Sequence, residues 1–165
     1  MEMMLLLLKR LQMLEIKINF EVSGNKIKIT GKGRCNLTFF GDVDDFKKNI
    51  VKNYKFMYSS FNNFSNKDVI NYFEEIGVKT KVERGNRVFP VSNNAFDVVS
   101  ALKKELKKYN VKVIYNTKLN DLIVKDGVLG GIVLSNGKVE KCDKCIIATG
   151  GTSYKNTGSS GDCYA

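Results

Sequence analysis

The run from Cys145 to Gly161, CIIATGGTSYKNTGSSG, constrains the fold of this chain more than any other stretch. Ile146, Ile147 and Ala148 are apolar over a length that suits only a short buried strand. They empty into Thr149-Gly150-Gly151, where the backbone can turn and be approached closely. In open α/β sheets, strand ends of this kind present N–H groups to ligands lying beyond the carboxyl ends of the strands. A strand followed by a glycine turn is also, commonly, just a turn.

The segments upstream alternate between helical and extended periods, which makes the chain α/β. Residues 1–14 read as a short packed helix, and 15–30 as a β-hairpin in which Ile16, Ile18, Phe20 and Val22 form one apolar face. Asp42 can cap a helix running to Tyr54. Ser65 can cap another over 66–76, where Val69, Ile70, Phe73 and Ile76 share a face and Gly77 supplies the stop. That period assigns Phe56, Tyr58, Phe61, Phe64, Tyr72 and Phe73 to packing rather than to a stacking platform. Residues 78–83 alternate as a strand, and Pro90 stiffens the approach to a helix capped by Ser92, with Ala95, Val98, Val99, Leu102 and Leu106 as its stripe. Four short strands follow at 111–115, 118–124, 128–134 and 138–141. Asp126-Gly127 and Asn136-Gly137 join the last three into an antiparallel meander.

Composition narrows the chemistry. With 165 residues, 43% of them hydrophobic, the chain can bury a core. The net charge of +10 comes from 27 cationic residues, only four of them arginines, and the lysines are scattered. Scatter argues against specific nucleic-acid recognition, although a diffuse positive field still favours an anionic ligand. The chain has no histidine, which removes Ser-His-Asp, Cys-His and His-metal chemistry. Cys142 and Cys145 form a single CxxC without a second pair, so no metal site is expected and these thiols read as structural, in a reducing cytoplasmic setting. No apolar run reaches the ~20 residues that cross a bilayer, so no membrane partner is expected. Any redox or group-transfer step would need a cofactor.

A second glycine-bearing loop, Thr30-Gly31-Lys32-Gly33-Arg34-Cys35-Asn36, breaks the early alternation. Gly31 and Gly33 free the backbone and Arg34 offers a planar fork, so the loop can wrap a phosphate. An ordinary basic turn fits it equally well, because GxG without a third glycine is not a dinucleotide fingerprint.

With ITGKGRCNLT (29–38), YFEEIG (72–77), NRVFPVSNNA (86–95), the meander and IIATGGTSYKNTGSSGDCYA (146–165) in this order, residues 28–165 resemble the BaiN-like (YhiN-type) family of NAD(P)/FAD-dependent oxidoreductases, flavoproteins with a glutathione-reductase-type FAD fold. The resemblance implies a partial FAD/NAD(P)-binding, Rossmann-like domain, with FAD as cofactor, NAD(P)H as reductant and a small-molecule substrate. It implies that Gly33, Arg34, Cys35 and Asn36, with Gly31 beside them, lie against the flavin and its phosphates. It also implies that backbone at Leu119 meets the adenine, that Ala148, Thr149, Gly150 and Gly151 pass beside the cofactor, and that Arg87 is a substrate-side candidate. Catalytic residues are not assigned. The family's opening strand, GxGxxG turn and helix are not matched, since residues 1–23 hold no glycine. The chain is therefore expected to be a single incomplete FAD-binding domain over 1–165, an interior slice with an atypical segment at 1–27, that binds FAD weakly or not at all. The alternative expectation is a truncated non-catalytic remnant or a self-associating interaction module without bound flavin, stabilised through an exposed sheet edge or by a missing companion segment.

Overall fold

The computed structural model describes Lys17–Phe20, residues 25–149 and residues 151–152. These fall into two compact units, one built on Ile27–Asn110 and the other combining the first strand with residues from Val111 onward.

The first unit carries most of the helix. After α1 (Asn25–Ile29) and the loop 30–37 come β2 (Thr38–Phe39), α2 (Val43–Asn49), a 3-10 turn (Tyr54–Met57), α3 (Tyr58–Asn63), α4 (Asn66–Glu75), β3 (Thr80–Glu83), β4 (Arg87–Pro90) and α5 (Ala95–Lys108). The strands form an antiparallel sheet in the order β2-β4-β3, with Val82 opposite Val88 and Glu83 opposite Arg87. Gly85 (φ +75) and Asn86 (φ +54) make the β3–β4 turn, and consecutive positive φ values match the natural twist of a tight hairpin. Pro90 sits at the far end of the central strand. Its missing N–H costs nothing there, because β2 pairs only with Arg87 and Val88.

One core unites these elements. Val69, Tyr72 and Phe73 of α4 meet Ala95, Val98, Ala101 and Leu102 of α5, together with Val88 of the sheet and Cys35 and Leu37 of the loop. The 3.6-residue stripes on both helices are therefore the buried faces, as their periods indicate. Each large side chain removed from water contributes about 1.5–3 kcal/mol. Helix α4 begins with a full capping box, Ser65 accepting from the Asp68 amide while Asp68 accepts from the Ser65 amide at 2.7 Å, and Gly77 (φ +91) follows its end. For α5 the cap is Asn94, two residues later than the Ser92 that the sequence implies. Asn94 Oδ1 accepts from the Phe96 amide at 3.0 Å, while the Ser92 hydroxyl accepts from Asn94.

Other expectations are corrected as well, and the helix expected over 1–14 lies outside the described residues. The hairpin over 15–30 is instead β1 (Lys17–Phe20) followed by α1, because β1 finds its partner far along the chain and Ile27 is drawn onto the first unit's core. The helix expected over 42–54 stops at Asn49. The β-branched pair Ile50-Val51 has little to pack on, with Val51 94% exposed, and Asn53 turns left-handed at φ +57. The aromatic set divides, since Phe61, Phe64, Tyr72 and Phe73 are buried whereas Phe56 is 84% exposed.

In the second unit β1 pairs in parallel with β5 (Lys112–Tyr115), and β6 (Leu119–Lys125), β7 (Val128–Leu134) and β8 (Val139–Lys141) form the meander. Asp126 (φ +52) and Gly127 (φ +76) make the tight β6–β7 turn that their sequence signals. The strand expected at Ile146–Ala148 is not formed. Both isoleucines are about half exposed, and the parallel sheet among the described residues contains only β1 and β5. An apolar run becomes a strand only where a ladder receives it. No helix among the described residues is long and apolar enough to cross a membrane.

Candidate functional site

The loop between α1 and β2 is built from an unusual run of left-handed residues: Gly31 (φ +61), Lys32 (φ +58), Gly33 (φ +85) and Cys35 (φ +64). Non-glycine residues pay about 1–2 kcal/mol for this conformation, so something must hold the loop. Its fasteners are visible. The Cys35 amide donates to the Thr30 carbonyl at 2.9 Å, the Ala95 amide at the start of α5 donates to the Gly33 carbonyl at 3.1 Å, and the Leu37 amide donates to Val88 at 2.8 Å. The Asn36 side-chain amide reaches the Thr38 and Val88 carbonyls at 3.1 and 3.2 Å. Cys35 itself fills the core, and burial pushes its thiol above the usual range.

Gly31 and Gly33 serve different ends. A Cβ on Gly31 would lie 2.7 Å from the buried Phe89 ring and 2.9 Å from the Asn36 amide nitrogen, so this glycine lets the loop close on the sheet. At Gly33 the nearest atom to such a Cβ is the Lys28 carbonyl oxygen at 3.9 Å, and the residue is exposed. Among the described residues the Lys32 and Gly33 amides donate to no acceptor. Successive free amides in a left-handed run form a concavity suited to an anion.

Arg34 is committed elsewhere. Its Nη1 donates to both carboxylate oxygens of Glu83, at 3.1 and 2.9 Å, its Nε reaches the Gly31 carbonyl at 3.4 Å, and its guanidinium carbon stands 4.2 Å from the Phe89 ring centroid. Lys81 adds a second cation, 3.1 Å from Glu83. Lys81 first, and Arg34 after it, hold the Glu83 carboxyl below its ordinary value. Arg87 comes to the same ring, 5.7 Å from its centroid, with its Nε donating to the Arg84 carbonyl at 3.1 Å. The structure therefore brings Gly31, Arg34 and Arg87 to Phe89, with Gly33 and Asn36 on the same loop. Phe89, Glu83 and Lys81 were not expected here. Their signal was the alternation of 78–83, which puts Lys81 and Glu83 on one face of a strand whose partner carries Phe89.

The remaining candidates lie in the second unit. Leu119 pairs with Leu134 at the start of β6, and a bulge follows before Asp121. Ala148 and Thr149 are exposed in irregular chain, and nothing stands within 4 Å of a Cβ placed on Gly151. Gly150 lies outside the described residues. Cys142 and Cys145 are free and partly buried. Burial first, and Cys142 beside it, push the Cys145 thiol up. No cluster of metal-ligating side chains occurs among the described residues.

The model of the HI0933-like protein Rossmann domain matches residues 9–165. The chain belongs to this family. Two relatives agree in extent. A 3-dehydro-bile acid delta(4,6)-reductase of Clostridium scindens is 31% identical over 150 residues, and the ribosomal RNA dihydrouridine synthase of Escherichia coli K12 is 28% identical over 143. Each alignment covers 86% of this chain and 34% of the relative, so this HI0933-like chain spans about a third of their length. A flavocytochrome c3 fumarate reductase in its open conformation superposes with a TM-score of 0.47 at 14% identity, over 83% of this chain and 33% of that one. The α/β class and the small antiparallel sheets are those of a Rossmann-like domain of this family.

Proposed function

We propose that this HI0933-like chain supplies part of the FAD-binding surface of a cytoplasmic flavoprotein oxidoreductase that reduces a small-molecule substrate with NAD(P)H. The observation that carries this reading is the family match over 9–165, supported by a relative whose name is that of a reductase. The open loop suits the anionic part of a dinucleotide. Gly33 leaves its backbone bare, the neighbouring amides are free to donate to a pyrophosphate, and exposed Arg87 adds a positive charge nearby. In this reading Gly31 and Cys35 act through the backbone path they set, and Asn36 holds the loop to β4. Arg34 keeps its pairing with Glu83 and contributes potential rather than a direct fork. FAD, when bound, supplies the hydride chemistry, and the protein binds and orients it.

Titration of the purified chain with FAD, followed by flavin fluorescence, tests the assignment. The expected result is weak, saturable binding that ADP competes away and that Gly33→Ala and Arg87→Ala each weaken by about tenfold, equivalent to about 1.4 kcal/mol. Absence of saturable binding up to millimolar FAD, or binding indifferent to both substitutions, would overturn it.

A further inference from the structure

The outer edge of β6 is the largest unused feature of the second unit. Leu119–Lys125 pairs with β7 on one side and has no strand on the other among the described residues. The edge is also apolar and open, with Leu122 38%, Ile123 39% and Val124 56% exposed. An unpaired edge of this kind is a template for another strand unless it is blunted. Asn120 bulges out of β6 before Asp121, and the β6–β7 register shifts again between Ile123 and Val124, but there the extra residue, Gly130, belongs to β7, so β6 itself carries no inserted residue over 121–125.

The sequence of that stretch, Asp121-Leu122-Ile123-Val124-Lys125, is complementary to itself when reversed. In an antiparallel pair centred on Ile123, Ile123 faces its own copy and Leu122 faces Val124. Asp121 then faces Lys125, and twofold symmetry makes each of these pairings occur twice. Opposite charges directly across a ladder stabilise it, and like charges there destabilise it. The neighbouring registers fail this test. A pair centred on Leu122 sets Asp121 against Ile123 and Lys125 against Leu119, leaving each charge facing an apolar side chain.

We infer that β6 is a self-association edge, pairing antiparallel with β6 of a second copy of this chain about a twofold axis at Ile123. The Asp121 carboxylate now accepts from its neighbour's amide, Leu122 N–H, at 2.8 Å. On pairing it exchanges that local bond for the partner's Lys125, freeing the amide for the new ladder. The match is isologous, as closed dimers require. The contact is short, so the dimer belongs with the weak, small interfaces.

Sedimentation equilibrium on the full chain, from low micromolar to millimolar concentration, tests this directly. The expected result is a monomer–dimer equilibrium in which Asp121→Lys or Lys125→Asp alone raises the dissociation constant by about tenfold or more, because each substitution creates two like-charge pairs. The double substitution Asp121→Lys/Lys125→Asp restores the charge pairing and returns the constant to near its original value. Circular dichroism of each variant checks that the meander is retained, and Ile123→Lys, which sets two lysines against each other on the axis, provides a second disruption. A chain that is monomeric throughout, or a dimer whose constant ignores these substitutions or is not recovered by the double exchange, overturns the inference.

Discussion

Replacing Gly31 with alanine should be far more damaging than the same change at Gly33, although the two stand two residues apart in one loop and both have positive φ. An L-residue in the left-handed region costs about 1–2 kcal/mol, and both variants incur that. At Gly33 little else changes, since the nearest atom to the added carbon is a carbonyl oxygen at 3.9 Å. At Gly31 the carbon arrives 2.7 Å from Phe89 Cε1 and 2.9 Å from the Asn36 nitrogen. The ring cannot retreat, because Phe89 is 1% exposed, and the Asn36 nitrogen belongs to the backbone. Overpacking of this kind adds about 1–3 kcal/mol, for a total of about 2–5 kcal/mol at Gly31. Urea unfolding followed by far-UV circular dichroism reports on the first unit, where α2 to α5 lie. The midpoint for Gly31→Ala should fall well below that for Gly33→Ala at an unchanged m-value. Equal midpoints for the two variants would refute the account of Gly31 as the residue that lets the loop close on Phe89.

Further outcomes follow from the same packing. Phe73→Ala empties the centre of the first core, where Phe73 is 0% exposed, and should cost about 3–5 kcal/mol in the same unfolding experiment. Burial first, then the Glu105 carboxylate, push the Tyr72 hydroxyl from 10.0 up to about 12. Its neutral form is therefore favoured by folding. That contribution is complete below pH 10 and is lost as pH rises toward 12, amounting to roughly 3 kcal/mol at about 1.4 kcal/mol per unit. Tyr72→Phe should flatten this alkaline limb in a stability profile, and an unchanged limb would assign it to other groups. Glu83 has the opposite sign, since Lys81 and Arg34 hold its carboxyl below 4.5. Its stabilisation is present above that value and is lost as pH falls through the lower folded value. Glu83→Gln should remove this acid dependence while raising the affinity for inorganic pyrophosphate several-fold by calorimetry, because the Arg34 charge is then no longer neutralised.

Elements whose cause is local were legible in the sequence. The cap at Ser65, the stripes of α4 and α5, and the Asp126-Gly127 turn each depend on residues within a few positions of one another, and the structure contains all of them. Elements decided by a distant partner were not. Residues 17–20 alternate as any half-buried strand does, and nothing nearby announces a parallel partner at Lys112–Tyr115. Ile146 and Ile147 fail in the converse way, being apolar enough for a buried strand with no ladder among the described residues to receive them. The aromatic run divides for the same reason. Phe61 lies on a helix against the core, while Phe56, on a separate 3-10 turn five residues earlier, has no core beneath it.

The candidate site divides along the same line. That a loop with two glycines would turn left-handed is a local property, and four of its residues do so. That Arg34 would lose its freedom to Glu83 is not local, because 49 residues separate them and the meeting depends on the β3–β4 hairpin placing Glu83 beside the loop. A guanidinium read from sequence alone is an unpaired fork, available to any phosphate. In the folded unit it already has a carboxylate and an aromatic face, so an anion recruited to this loop must either displace Glu83 or rely on the backbone amides instead. The second course costs no ion pair, and it needs only the bare backbone that Lys32 and Gly33 already present.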